Sequence, residues 1–145
     1  MGTKSLDDIR VTPLKKIPTN NGDVMTALKA SDDVFNGFGE VYFSWIDCEA
    51  IKAWKCHQHM TLNLVVPVGE VNFVFHLTNK KNIFRTEIIG EERYVRLTVP
   101  PGIWFGFQGR NFSHNLIMNL ADMAHNPHEV LRKTISEIDY NWSPK

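Results

Sequence analysis

The sequence predicts an all-β fold made of many short antiparallel strands. Turn signals recur about every 8–12 residues, a spacing typical of a sandwich or barrel. One long segment, residues 50–66, alternates polar and apolar side chains, and only residues 126–138 have helical spacing. A chain of 145 residues is long enough to bury a core of its own, so we interpret residues 1–145 as a single domain.

The strand assignments follow from the turns. Residues 1–10 are polar and are expected to be flexible. Turns are predicted at Asn20–Asp23, Thr78–Asn82 and Pro100–Gly102 from their Asn, Gly and Pro content or their polarity. Between the turns, β-branched and aromatic residues favour strands. The predicted strands are Val11–Ile17, Val24–Lys29, Glu40–Ile46, Ala50–Val66 (as one strand or as two with a bend), Val71–Leu77, Ile83–Ile89, Tyr94–Val99, Ile103–Phe107 and Ser113–Ala121.

One hairpin and one helix complete the expected fold. Ile83–Ile89 is expected to pair with Tyr94–Val99 across a short polar turn. Asn126–Ile138 is predicted to be a C-terminal helix, because Pro127 suits a first helical turn and Glu129 suits its positive end.

Composition narrows the classes of partner. The chain is 43% hydrophobic and 22% charged, with no formal net charge, so its charge favours neither nucleic acid nor an anionic membrane as a partner. No apolar run is long enough to span a bilayer, and the N-terminus lacks the apolar core of a signal peptide. Cys48 and Cys56 make neither a disulfide framework nor a metal pattern, so we expect a reducing, cytoplasmic setting.

A polar wall is predicted on the alternating segment. Polar residues occupy every second position, namely Lys55, His57, His59, Thr61 and Asn63. Alternate residues of a strand point to opposite faces, so these five share one face if the segment is a single strand. Two imidazoles, a lysine and an amide do not suit an ordinary core. The wall is therefore either a solvent face or the inside of a polar cavity, and we expect it to face inward.

Short motifs spread over residues 39–142 carry a family resemblance. They are GEVYFS at 39–44, IKAW at 51–54, His57, MTLN at 60–63, GEV at 69–71, PPGIW-GF at 100–107, NLAD at 119–122, HNPHE at 125–129 and Tyr140–Trp142. Together they resemble the dTDP-4-dehydrorhamnose 3,5-epimerase family and its shorter sugar-nucleotide relatives. The resemblance implies a cupin-type jelly-roll barrel, usually dimeric, with a pocket for a dTDP-linked 4-keto-6-deoxyhexose. It also implies that no cofactor or metal is needed, because the ketone acidifies the neighbouring C–H bonds.

The resemblance also implies catalytic residues. Epimerisation next to a ketone needs a base, a donor for the enolate oxygen and an acid. The base position of the family falls on Lys55 or, after a shift of two residues, on His57; we predict His57 as the base and Lys55 as its rival. The acid tyrosine of the family falls within residues 117–121, where Asn119 is the nearest polar candidate. Asp122 is the candidate for the carboxylate partner of the base.

Other residues are predicted to bind the substrate. Its diphosphate needs lysine or arginine, and its nucleobase needs an aromatic surface. Lys52 or Asn63 is expected to steady the enolate oxygen. The candidate substrate-binding residues are Lys52, His59, Asn63, Phe105, Trp104 and Tyr42. Short strands leave edges that need cover, so a homodimer is also expected, with Val41–Ile46 contributing to its interface.

Three functions stay open at this point. The first is an epimerase or isomerase of a nucleotide-linked 4-ketohexose in deoxysugar or surface-polysaccharide biosynthesis. The second is a non-catalytic or degenerate sugar-nucleotide-binding relative. The third is a metal-dependent cupin enzyme, because the pair His57 and His59 can chelate one ion. A metal-binding cupin, however, needs an acidic residue and a third histidine at the positions where this chain has Asn63 and Phe105.

Overall fold

The architecture is that of a computed structural model, which describes residues 4–79 and 83–143. Within these ranges the chain forms two five-stranded sheets and one two-stranded ribbon. The strands are β1 (Arg10–Pro13), β2 (Lys16–Ile17), β3 (Val24–Met25), β4 (Glu40–Trp45), β5 (Ile51–His57), β6 (Leu62–Val68), β7 (Glu70–His76), β8 (Phe84–Gly90), β9 (Val95–Val99), β10 (Trp104–Gly109), β11 (Leu116–Ala121) and β12 (Val130–Arg132). The helices found there, Leu6–Asp8 and Ile135–Glu137, are short 3-10 turns.

The sheet topology is that of a jelly roll. The first sheet has the strand order β1-β9-β6-β11-β4, and the second has β12-β5-β10-β7-β8. From β4 onward the chain passes from one sheet to the other at nearly every connection. Neighbouring strands run antiparallel, and β2 pairs with β3 in the ribbon. The predicted all-β class is confirmed. None of the helices in the described ranges is long and apolar enough to cross a membrane.

Apolar side chains pack on two faces of the second sheet. Between the sheets lies the inner core, which includes Leu62, Leu64, Phe73, Phe75, Leu97 and Ile117. On the opposite face of the second sheet lies the outer aromatic cluster, whose buried members are Trp54, Cys56, Val74, Trp104, Ile138 and Trp142. The C-terminal segment thus covers the outside of the sheet that contains β5.

The long alternating segment is two strands, one of the two alternatives left open by the sequence. β5 ends at His57, β6 begins at Leu62, and residues 58–61 form the connection between the sheets. Because this loop interrupts the two-residue period, the side chains that face inward on β5 are out of phase with those that face inward on β6. The prediction of one continuous polar wall was therefore wrong beyond His57.

The predicted hairpin of Ile83–Ile89 with Tyr94–Val99 was also wrong. β8 pairs with β7, with Ile89 opposite Val71, whereas β9 pairs with β1 and β6. The turn between β8 and β9 passes from the second sheet to the first. Strands that neighbour each other in sequence usually pair, but a jelly-roll crossover separates these two.

The predicted helix over Asn126–Ile138 was wrong for most of its length. β12 lies inside this range and pairs antiparallel with β5, with Val130 opposite His57 and Arg132 opposite Lys55. Pairing with β5 satisfies the backbone of this segment, and such tertiary contacts override a weak helical spacing. Only Ile135–Glu137 is helical, as a three-residue 3-10 turn.

Part of the segment expected to be flexible is ordered. Ser5 caps the 3-10 turn Leu6–Asp8, and the side chain of Ile9 is buried with 3% exposed. Residues 1–3 lie outside the described residues, as do positions 80–82 of the turn predicted at Thr78–Asn82.

Candidate active site

Strand β5 divides its side chains between two environments. Trp54 and Cys56 point into the outer aromatic cluster. Lys55 and His57 point the other way and line the space between the two sheets. Phe105 of β10 lies opposite Lys55 in the strand register, so this face of β5 continues onto β10. The alternation predicted for Lys55 and His57 therefore holds within this strand.

A buried carboxylate holds His57. The Nδ1 atom of His57 is hydrogen-bonded to Oε1 of Glu129, and the two side chains are 8% and 3% exposed. The other oxygen of Glu129 accepts the backbone N–H groups of His59 (2.9 Å) and Met60 (3.1 Å). Burial alone raises the pKa of the Glu129 carboxyl, but the His57 hydrogen bond and the two N–H donors outweigh it and leave this pKa below its ordinary value.

This contact sets the chemistry of His57. A carboxylate only accepts hydrogen bonds, so Nδ1 carries a proton, and in the neutral imidazole Nε2 is then the atom with the free lone pair. The ring also stacks against Phe105, with centroids 6.1 Å apart and an interplanar angle of 18°. An imidazole that is fixed by stacking and by a carboxylate is oriented to accept a proton at Nε2.

His57 lines a small pocket between the sheets, here named the inner pocket. Its volume is about 50 Å³, and it is lined by Tyr42, Ser44, Lys55, His57, Leu62, Leu64, Phe105, Phe107, Ile117 and Asn119. Asn119 donates from Nδ2 to the hydroxyl oxygen of Tyr42 at 3.0 Å. The inner pocket thus has an imidazole on one sheet and a phenol paired with an amide on the facing sheet.

A larger basic cleft adjoins the inner pocket. It has a volume of about 450 Å³ and shares Ser44, Lys55, Phe105 and Phe107 with the inner pocket. Its cationic residues are Lys52, Lys55, Arg132 and Lys133, and the ammonium group of Lys133 lies over the ring of Trp104, 4.8 Å from its centroid. Burial, followed by repulsion from Arg132 and Lys52, lowers the pKa of Lys55. A cleft of this size and charge suits an anionic ligand.

Most of the predicted site residues come together. His57, Lys55, Asn119, Tyr42 and Phe105 all line the inner pocket. Lys52 lines the basic cleft, where its Nζ donates to the carbonyl oxygen of Trp45 at 2.9 Å.

Three predicted substrate-binding residues lie elsewhere. The side chain of His59 is exposed in the loop at residues 58–61. Asn63 is buried on the face of β6 away from the inner pocket, where Thr98 donates to its Oδ1 at 2.7 Å. Trp104 belongs to the outer aromatic cluster, because it precedes Phe105 on β10 and points to the opposite face. The loop at residues 58–61 explains why His59 and Asn63 lie away from the inner pocket.

Asp122 is not the partner of His57. Its Oδ1 accepts the backbone N–H of Thr61 at 2.9 Å, and its Oδ2 accepts from Nδ2 of Asn36 at 3.2 Å. It therefore fixes the start of β6, while Glu129 takes the role predicted for Asp122. The motif HNPHE, which ends at Glu129, was part of the family resemblance, but a helical interpretation of this segment concealed the carboxylate.

A metal site was one of the alternatives. Among the described residues, no group of three or more His, Cys, Asp or Glu side chains is placed to hold a metal ion. The carboxylate next to His57 is instead engaged by His57 and by two backbone N–H groups.

Known proteins share this architecture. No protein-family model matches the chain. A dTDP sugar isomerase from Desulfovibrio desulfuricans G20 superposes with a TM-score of 0.88 at 28% identity, covering 94% of this chain and 91% of the other. The chain resembles the nucleotide-sugar epimerases and isomerases.

Two further structures and one sequence extend this resemblance. The dTDP-4-dehydrorhamnose 3,5-epimerase from Sulfolobus tokodaii has a TM-score of 0.78 at 17% identity, covering 94% of this chain and 84% of that one. The sugar 3,4-ketoisomerase QdtA from Thermoanaerobacterium thermosaccharolyticum has a TM-score of 0.76 at 16% identity, with coverages of 92% and 96%. The spore coat polysaccharide biosynthesis protein SpsL from Bacillus subtilis is 22% identical, over 95% of this chain and 97% of SpsL. The predicted family resemblance and the jelly-roll fold are confirmed.

Proposed function

We propose that this protein is a nucleotide-sugar epimerase or isomerase acting on a dTDP-linked 4-keto-6-deoxyhexose, in deoxysugar or surface-polysaccharide biosynthesis. The observation that carries the proposal is the pairing of His57 with Glu129 at a pocket that opens onto a basic cleft. The similarity to a dTDP sugar isomerase supports the class of substrate.

His57 is the base in this proposal. Its Nε2 takes a proton from a carbon next to the ketone, and the electrons of the C–H bond pass into the enolate. Glu129 keeps the imidazole oriented and stabilises the imidazolium that forms. This assignment keeps His57 as the predicted base and replaces Asp122 by Glu129 as its partner.

Lys55 steadies the enolate oxygen. It lines both the inner pocket and the basic cleft, so its ammonium group can reach a ketone held at their junction. Of the two residues predicted for this role, Asn63 lies on the other face of its strand, and Lys52 lines the basic cleft but not the inner pocket. A cation next to a developing oxyanion lowers the barrier to enolisation.

The diphosphate binds in the basic cleft. Lys52 of β5 and Arg132 at the end of β12 line this cleft. Arginine and lysine recognise phosphate oxygens through charge-assisted hydrogen bonds. The sugar then points from the cleft toward His57.

We further propose a homodimer that packs through β4, one of the two edge strands of the first sheet. Every second side chain of this strand is apolar and exposed: Val41 (39%), Phe43 (59%) and Trp45 (57%). An apolar edge strand favours cover by another chain. A sedimentation mass near twice the 16.7 kDa of one chain is expected at micromolar concentration, and a single-chain mass would reject the dimer.

The free cysteines Cys48 and Cys56 suit a reducing cytoplasm.

The test of function is solvent exchange. The protein is incubated with dTDP-4-keto-6-deoxyglucose in deuterated water, and proton NMR follows the hydrogens next to the ketone. The parent should exchange them, whereas His57→Asn should not. His125→Asn is the matched control, because the side chain of His125 is exposed and is not among the residues that line the inner pocket. Binding of dTDP without exchange would indicate a non-catalytic relative, and exchange that requires an added divalent metal would indicate a metal-dependent enzyme.

A further inference from the structure

We propose that the protein has a second binding site, for a small oxyanion such as inorganic phosphate, on the outer face of the first sheet. The site is a cavity of about 130 Å³ at the base of the two-stranded ribbon formed by β2 and β3. It is lined by residues 12–15, 26–29, Asp32 and Arg96, and it is here named the ribbon cavity. It lies outside the proposed active site and takes a ligand of its own.

Arg96 points to the outer face because of its place in β9. Its neighbours in the strand, Val95 and Leu97, are buried in the inner core between the sheets. Alternate residues of a strand point to opposite faces, so Arg96 faces away from that core. Thr12 of β1 lies opposite Arg96 in the strand register and also lines the ribbon cavity. The first sheet therefore separates Arg96 from the inner pocket.

The guanidinium of Arg96 is buried with part of its hydrogen-bonding capacity unused. The side chain is 2% exposed, and the hydrogen bonds that it makes within the described residues start from Nη1. They reach the carbonyl oxygen of Ala27 at 2.6 Å and Oδ2 of Asp32 at 3.2 Å. Nε is buried and has no acceptor among the described residues. A guanidinium has five N–H donors in a planar fork, so its Nε edge is left for a further acceptor, which a buried donor needs.

The charges around the ribbon cavity favour an anion. Lys15 and Lys29 line it with exposed side chains, and of the described residues that line it only Asp32 is acidic. The side chain of Asp32 is 29% exposed, and its Oδ2 also accepts the backbone N–H of Lys29 at 2.9 Å. Three cations thus share one partly hydrated carboxylate. An oxyanion in the cavity supplies negative charge next to a buried cation and accepts charge-assisted hydrogen bonds from it.

The size of the ribbon cavity selects a small ligand. Pockets for drug-sized ligands span about 300–1,000 Å³, so a cavity of about 130 Å³ is too small for a nucleotide. Liquid water occupies about 30 Å³ per molecule, so this space corresponds to about four water molecules and suits a tetrahedral oxyanion. A phosphate ion there links Arg96 of the sheet to Lys15 and Lys29 beside the ribbon. Bound phosphate should therefore stabilise the folded protein by mass action.

The test follows Arg96 itself. Inorganic phosphate replaces chloride at constant ionic strength, and NMR follows the arginine Nε–H signals, with that of Arg96 assigned through bonds from its backbone. The Arg96 signal is expected to shift saturably, and the unfolding temperature should rise with phosphate concentration. In the double variant Lys15→Gln/Lys29→Gln, the Kd for phosphate should rise about tenfold, or about 1.4 kcal/mol. Lys4→Gln/Arg10→Gln is the matched control, because it removes the same charge from two exposed side chains that are not among those lining the cavity.

Each other outcome overturns the proposal. An Arg96 signal that does not shift when phosphate replaces chloride rejects an oxyanion site at this residue. Equal Kd values for the two double variants show that Lys15 and Lys29 do not act through the cavity, and they reject it as the site. A shift produced by dTDP but not by phosphate assigns Arg96 to nucleotide binding instead. The deuterium-exchange test of the proposed function uses another ligand and other residues, so the ribbon cavity can fail this test while the proposed function stands.

Discussion

The two faces of β5 show how one strand serves chemistry and stability at the same time. On the inner face, His57 is polar, carboxylate-bound and next to an open pocket. On the outer face, Trp54 is 1% exposed and packs 5.2 Å from Trp142 between ring centroids. Adjacent residues of a strand point in opposite directions. Neighbouring residues of β5, such as Cys56 and His57, therefore lie in different environments on the two sides of the sheet. Their functions should therefore be separable by mutation.

The largest expected effect is on the inner face. Replacing His57 by Asn should lower the rate of deuterium exchange about 10²–10⁴-fold, the usual scale for loss of general base catalysis. The affinity for dTDP should stay nearly unchanged, because the proposed nucleotide contacts lie in the basic cleft. Isothermal titration with dTDP and NMR exchange rates measure the two quantities on the same preparation.

The same experiment decides between His57 and Lys55. If Lys55 only steadies the enolate, Lys55→Ala should slow exchange less than His57→Asn does. Parent-rate exchange by His57→Asn together with lost exchange in Lys55→Ala would make Lys55 the base. Normal exchange in both variants would reject this interpretation of the site.

A substitution on the outer face of β5 should lower the stability of the protein and leave the exchange rate unchanged. Trp142 is 6% exposed and packs on Trp54 and Tyr140, so Trp142→Ala leaves a cavity in the outer aromatic cluster. We expect a loss of about 3 kcal/mol in the free energy of unfolding, the scale for truncating a buried tryptophan. The exchange rate per folded molecule should remain at the parent value. Urea denaturation measures the first quantity, and a large change in the second would show that the faces are coupled.

The sequence predicted the positions of side chains within β5 better than those in the segment that follows it. The alternation of polar and apolar residues placed Lys55 and His57 on one face correctly, because that period is a local property of a strand. It misplaced His59 and Asn63, because nothing in the sequence marked residues 58–61 as the loop that ends β5. Local patterns cannot reveal where a strand leaves one sheet for another.

The proposed catalytic pair, His57 and Glu129, depends on contacts that are distant in sequence. Glu129 reaches His57 because it directly precedes β12, which pairs with β5 and places Val130 opposite His57. The sequence instead favoured a helix there and made Asp122 the partner. For the same reason, Asn119 was predicted as a catalytic group by itself, whereas the register of β11 with β4 gives it Tyr42 as a neighbour.

A smaller effect, dependent on pH, is expected from Glu129. Because the folded-state pKa of Glu129 is below its ordinary value, its carboxylate contributes stability above the unfolded-state pKa of about 4.3. That contribution is lost as the pH falls through the folded-state value. Glu129→Gln should therefore cost about 1–3 kcal/mol at pH 7, the cost of disrupting a buried hydrogen-bonded group, and the difference from the parent should shrink below about pH 4. Urea unfolding between pH 7 and pH 3 checks this, and a constant difference across that range would contradict it.

The smallest effect is expected at the edge of the site, where Arg132 lines the basic cleft opposite Lys55. Arg132→Gln removes one charged partner of the diphosphate, so the Kd for dTDP should rise about tenfold, or about 1.4 kcal/mol. The difference should narrow as salt is added, because an exposed cation is screened. Arg10→Gln is the matched control, since Arg10 is exposed on β1 at the far edge of the first sheet. An equal loss of dTDP affinity in Arg10→Gln would show that net charge, rather than the cleft, attracts the nucleotide.

The same substitution should change the pKa of Lys55. Loss of Arg132 removes a positive charge beside Lys55, so the lowered pKa of Lys55 should move up toward its ordinary value. NMR titration of the lysine Nζ signals measures that shift.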